Sequence, residues 1–156
     1  MVGELLVLRS GDQAFEQRSD DRPSVLIVED SFVTALDLSR SLDEAGFRVC
    51  GMAGNKALAL RLAERERPAA AVVDLFLSDG MTGLAVVRAL HERHGTVCLL
   101  STAFARSVTA DAHLAWGVIG KPYPRETLGH ALAYCLGLAA GTPPADAPPR
   151  GLELLR

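Results

Sequence analysis

Val25-Leu26-Ile27-Val28-Glu29-Asp30-Ser31 is four consecutive apolar residues running straight into two acids and a hydroxyl. A half-exposed strand alternates apolar and polar residues. An unbroken apolar run of this length therefore predicts a strand covered on both faces. The period then changes. Over residues 31–45, Phe32, Ala35, Leu36 and Leu42 recur at helical spacing, and Gly46 stands where the helix must end. The same alternation continues down the chain. Residues 47–53 read as a strand and 56–67 as a helix, with Pro68 as punctuation. Residues 69–73 give a third strand, and a third helix runs from Gly83 to about residue 94, where Gly95 breaks it. Residues 97–100 give a fourth strand and 117–120 a short fifth. Between these two, residues 105–115 form only a weak helical pattern, interrupted by Ser107, Thr109 and Asp111. Pro124 opens a last helix on which Leu128, Ala131, Leu132, Cys135 and Leu136 share a face.

Five strands alternating with five helices predict an α/β fold: a doubly wound five-stranded parallel sheet with helices on both faces. Right-handed crossovers leave few topologies. In such sheets the functional crevice lies beyond the carboxyl ends of the strands.

Composition agrees with one globular domain. The chain has 156 residues, of which 49% are apolar, enough to build a core without staples. The formal net charge is −3 and the sixteen Lys and Arg are scattered. No electrostatic case arises for nucleic acid or for an acidic membrane surface. No apolar run approaches the length of a membrane span. Cys50, Cys98 and Cys135 are odd in number and sit in apolar runs, which suits small buried hydrophobes in a reducing cytosol. A cytoplasmic location is the expectation. Residues 1–22 read as a flexible leader, 23–139 as the folded domain and 140–156 as a Pro/Ala-rich tail. Short Leu-rich patches at both ends, Leu5 to Leu8 and Leu152 to Leu155, read as frayed termini in preference to docked segments.

The strand ends carry the chemistry. The first delivers Glu29 and Asp30, the third Asp74, the fourth Ser101 and Thr102, the fifth Lys121. Clustered carboxylates repel and raise one another's pKa. A hard divalent cation relieves that, and Mg²⁺ suits oxygen ligands while keeping several waters. A carboxylate beside such a cation can attack phosphorus and form an aspartyl phosphate. A neighbouring lysine and a hydroxyl supply the remaining charge and hydrogen bonds that phosphoryl transfer needs.

The blocks Val25 to Ser31, Val72-Val73-Asp74-Leu75, Leu100-Ser101-Thr102-Ala103 and Gly120-Lys121-Pro122-Tyr123 resemble the four signature blocks of response-regulator receiver domains, in the family's order. The resemblance spans about residues 24–139 and implies a flavodoxin-like sheet of receiver type. It implies Asp74 as phosphoacceptor, with Thr102 and Lys121 as its partners. It also implies a Mg²⁺ site made by Glu29, Asp30, Asp74 and the backbone carbonyl of Phe76. Ser101 competes with Thr102 for the hydroxyl role, and Asp30 doubles as a helix cap. The Lys121-Pro122 bond is expected to be cis by the same resemblance. A receiver is a signalling phosphoacceptor, with no enzyme activity beyond its own phosphotransfer and dephosphorylation. Its partners are a histidine kinase or histidine phosphotransfer protein and a downstream protein target, and it can form a homodimer. About 17 residues follow residue 139, too few for a DNA-binding or catalytic output domain. Output is therefore expected through protein contact or onward phosphotransfer.

Two departures from the family stand out. Receivers commonly carry an aromatic residue three positions before the lysine, where this chain has Val118. The interval from Thr102 to Lys121 is also short, and the shortfall lies in the weak fourth helix. Both features resemble a subset of single-domain receivers with a degenerate fourth helix, which work with atypical histidine kinases. Residues 104–116 are then expected to be mobile until phosphorylation orders them. Phe76 and Phe104 flank the acceptor and predict slow loss of the phosphoryl group. Ser78-Asp79-Gly80 reads as turn and capping chemistry, His91 and His94 as surface residues, and Trp116 as packing. A haloacid-dehalogenase-type hydrolase would need Asp-x-Asp after the first strand. A dinucleotide-binding domain would need a Gly-rich turn there. The turn here is acidic.

Overall fold

A computed structural model describes residues 20–108 and 110–156. The expected leader falls outside them up to residue 19. The chain runs β1 (Ser24–Val28), α1 (Phe32–Glu44), β2 (Arg48–Ala53), α2 (Lys56–Glu66), β3 (Ala70–Val73), α3 (Gly83–His94), β4 (Val97–Thr102), β5 (Gly117–Gly120), α4 (Arg125–Ala139) and β6 (Leu152–Leu154). The sheet order is β2-β1-β3-β4-β5-β6. The first five strands are parallel, and β6 is antiparallel to β5.

Two expectations are corrected. Among the described residues the sheet has six strands, because the C-terminal Leu-rich patch pairs along β5 instead of fraying. Leu152 and Leu155 also pack against the two halves of the core. The weak fourth helix is two short 3₁₀ segments, Ala105–Ser107 and Ala110–Leu114, which leaves four α-helices among the described residues.

Local chemistry sets the helix limits. Ser31 Oγ accepts from Thr34 N at 3.3 Å and caps α1, while Asn55 Oδ1 accepts from Leu58 N at 2.8 Å and caps α2. The expectation that Asp30 caps α1 is thereby corrected. Gly95, at φ +64°, takes the left-handed position that closes α3.

Alternation along the strands feeds two cores. Leu26, Val28, Val73 and Leu100 face α2 and α3, with Ala59, Val86 and Leu90. Val25, Ile27, Val72 and Leu99 face α1 and α4, with Leu42, Leu128 and Leu132. Each large aliphatic side chain buried this way contributes about 1.5–3 kcal/mol. Phe32 departs from its expected place on the buried face of α1, being 70% exposed. The three cysteines are free, and burial pushes the Cys98 thiol up to about 12 and the Cys135 thiol up to about 11.

Gly83 fixes how α3 meets the end of β3. Its N–H donates to Leu75 O at 3.0 Å, and a Cβ there would stand 2.1 Å from Asp74 O and 2.7 Å from Leu75 Cα. These are backbone atoms with little room to yield. Gly83→Ala is expected to destabilise the fold by about 1–3 kcal/mol, the usual cost of overpacking. The urea midpoint checks this, and an unchanged midpoint would contradict the close approach.

Candidate functional site

The strand registers bring the polar ends together. Val28 lies beside Val73, Val73 beside Leu100, and Thr102 beside Gly120. The next residues along these strands, Glu29, Asp74 and Lys121, therefore emerge at one edge of the sheet. Backbone hydrogen bonds continue past the strand ends, from Asp74 N to Val28 O at 2.9 Å and from Lys121 N to Thr102 O at 2.8 Å.

Lys121 is the hub. Its Nζ donates to Glu29 Oε2 at 2.6 Å and to Asp74 Oδ2 at 3.0 Å. Glu29 is buried, with its other oxygen accepting from Ser31 N at 3.2 Å. Burial pushes the Glu29 carboxyl up, and the Lys121 hydrogen bond pulls it down without cancelling that effect. For Lys121 burial pulls the pKa down, yet the hydrogen bonds to Glu29 and Asp74 outweigh it and leave it raised. The same contact thus acts on two groups of unequal burial, and the more exposed ammonium keeps its charge. Asp30 is exposed.

The two hydroxyls of β4 point to opposite faces, as successive strand residues must. Thr102 is fully buried, and its Oγ1 accepts from Phe104 N at 3.2 Å. Ser101 Oγ lies 2.6 Å from Tyr123 Oη. Tyr123 is a residue that sequence reasoning missed. Its only signal was its place directly after Lys121-Pro122. Val118 is buried. The Lys121-Pro122 bond is cis, as the resemblance implied.

The surroundings carry further outcomes. The rings of Phe76 and Phe104 meet at a tilt of 58°, with 4.7 Å between centroids. Phe32, Val33, Phe76 and Phe104 are all exposed. Asp79 behaves as capping chemistry: its carboxylate accepts from Thr82 Oγ1 at 2.7 Å and from Lys56 N at 3.2 Å. His94 is no surface residue, since its side chain is 6% exposed and reaches Glu64 at 3.4 Å. No helix among the described residues is long and apolar enough to cross a membrane.

The sequence pattern of the response regulator receiver domain matches residues 25–133. The chain belongs to that family. Among curated relatives of this receiver, the photosynthetic apparatus regulatory protein RegA of Rhodovulum sulfidophilum is 33% identical over 149 residues, covering 93% of this chain and 78% of RegA. The phyllosphere-induced regulator PhyR of Methylorubrum extorquens is 28% identical over 123 residues, covering 78% of this chain. The match takes in only 46% of PhyR, so this receiver spans less than half of that regulator's length. The PhyR receiver domain from Erythrobacter litoralis superposes with a TM-score of 0.66 at 21% identity, over 81% of this chain and 95% of that one, which speaks for the fold. A response regulator from Burkholderia pseudomallei, solved with a phosphorylated aspartic acid, calcium ion and citrate, gives a TM-score of 0.65 at 29% identity. That superposition covers 76% of this chain and 71% of that one.

Removing the hub tests the electrostatics. Lys121→Met leaves buried Glu29 facing Asp74 without its cation, so the Glu29 carboxyl rises further. A carboxyl raised above its unfolded value costs stability as pH climbs through that raised value. The variant is therefore expected to lose on the order of 2 kcal/mol at pH 7 and less near pH 4. Urea titrations at the two pH values check this, and an equal loss at both would contradict it.

Proposed function

We propose that this receiver accepts a phosphoryl group on Asp74 from a phosphohistidine donor and signals by protein contact or onward phosphotransfer. The observation that carries the reading is the two-pronged contact of Lys121 Nζ with Asp74 at 3.0 Å and Glu29 at 2.6 Å. An ammonium held by a carboxylate on one side is positioned to follow charge that develops on the other. In the transfer, an Asp74 oxygen attacks phosphorus. The new P–O bond forms as the P–N bond to the donor imidazole breaks, and the imidazole nitrogen keeps the electron pair. Lys121 then pairs with the phosphoryl oxygens it already faces. Thr102 accepts a hydrogen bond from Phe104 N, so its own hydroxyl hydrogen remains available to a phosphoryl oxygen. Ser101 is engaged by Tyr123 on the opposite face, which favours Thr102 for this role.

The donor set fits Mg²⁺ in kind. Glu29, Asp30, Asp74 and the carbonyl of Phe76 offer only oxygen, and Asp30 is exposed. Among the described residues no group of three or more His, Cys, Asp or Glu forms a ready metal cage. Mg²⁺ asks for less than that, because it retains several waters and takes one or two carboxylates. Bound there, the ion would offset negative charge on the incoming phosphoryl group.

Exposed Phe32, Val33, Phe76 and Phe104 give the sheet edge an apolar rim suited to a protein donor or target. The tilted pair of Phe76 and Phe104 rings supports slow hydrolysis by restricting the approach of water.

Intact mass after incubation with acetyl phosphate tests the reading. A gain of one phosphoryl group is expected with Mg²⁺ present, and none with Mg²⁺ chelated or in Asp74→Asn. An equal gain in Asp74→Asn would overturn the assignment.

A further inference from the structure

The C-terminal segment is attached where it can report on the pocket. β6 pairs with the outer edge of β5 in the register Ile119 with Leu152, Val118 with Glu153 and Gly117 with Leu154. Lys121 follows that strand directly. Beyond β6, Leu155 N donates to Trp116 O at 3.0 Å, and the Arg156 guanidinium lies 4.7 Å over the Trp116 ring. Gly117 leaves room for the strand: a Cβ there would stand 2.7 Å from Leu152 Cδ1 and 3.0 Å from Glu153 O. β6 has only three residues, and Glu153 and Leu154 are exposed. A short, exposed edge strand belongs to the low-stability end of a fold.

A cleft of about 540 Å³ is lined by Gly120, Tyr123 and Thr127 together with Pro149, Arg150 and Gly151, the residues that lead into β6. Tyr123 therefore has two neighbours. Its hydroxyl meets Ser101, the residue next to Thr102. Its other side borders the cleft from which the chain turns into β6.

We propose that β6 is a releasable strand that closes the β5 edge while Asp74 is unmodified, and that the Ser101–Tyr123 hydrogen bond ties its docking to the acceptor pocket. This rests on the reading of Asp74 as phosphoacceptor. A phosphoryl group on Asp74 draws Thr102 Oγ1 and Lys121 Nζ toward itself. Thr102 carries Ser101 with it along β4, and Lys121 carries Tyr123 along the chain. Both displacements meet at one 2.6 Å contact. When that contact shifts, the Tyr123 ring moves against the cleft wall and the support for residues 149–151 changes. Tyr123 is a positioning residue here, acting through Ser101. Release of β6 leaves backbone groups of β5 unpaired, a surface that pairs with an extended segment.

The test follows the full chain treated with acetyl phosphate and Mg²⁺, reading intact mass and amide exchange on the same sample. Trp116 emission is a second readout, since the chain has one Trp. Phosphorylation is expected to speed exchange over residues 152–155 by about tenfold or more, within the range of site-to-site coupling, and to shift the emission. Tyr123→Phe should take up phosphate to the same extent while exchange over 152–155 stays constant. Leu152→Asp should show fast exchange with or without phosphate and supplies the undocked reference. Wild type that gains the phosphoryl mass with unchanged exchange at 152–155 would overturn the proposal. A full wild-type response in Tyr123→Phe would overturn the Ser101–Tyr123 link. If wild type gains no mass, the acceptor reading itself fails and this inference falls with it.

Discussion

The ammonium of Lys121 lies between two carboxylates that the fold brings together from different strands, 2.6 Å from Glu29 and 3.0 Å from Asp74. Without that cation the edge of the sheet would present two acids to each other, one of them buried. Burial alone pushes Glu29 up, and Asp74 adds to the push. The arrangement holds because β1, β3 and β5 end in register, and they do so because each is an apolar strand covered on both faces. The core and the charged cluster are thus one structure. Apolar runs fix where the strands stop, and the first polar residue past each stop lands in the pocket.

Strand alternation then separates two tasks within β4. Thr102 Oγ1 accepts from Phe104 N, and Ser101 on the other face meets Tyr123. β5 has Lys121 following one end and β6 paired along its edge. Val118 stands where the resemblance implies an aromatic residue. Val118 packs in the core beside α2 and α3, whereas Tyr123 packs against the other core.

Most of the sheet was legible because it depends on local pattern. Four apolar residues before Glu29-Asp30 announce β1, and the same run-then-polar rhythm announces β3, β4 and β5. The cluster of Glu29, Asp74 and Lys121 was legible because strand ends in a parallel sheet share an edge. What sequence reasoning missed depends on distant partners. β6 is three residues after a Pro-rich stretch, and only the free edge of β5 makes it a strand. His94 looks like a surface residue until Glu64 from α2 closes over it. Phe32 fits a helical face by spacing, yet at the first position of α1 it lies beyond the core and faces solvent. Asp30 looked like a helix cap, but Ser31 reaches Thr34 N instead.

The central claim is that Asp74 itself carries the phosphoryl group. Borohydride reduces an acyl phosphate to an alcohol, so reduction of the acetyl-phosphate-treated chain followed by peptide mass mapping reads the site directly. Homoserine at position 74, dependent on Mg²⁺ during phosphorylation, is the predicted result. Homoserine at position 30 in place of 74, or no reduced residue in a chain that has gained the phosphoryl mass, would contradict it.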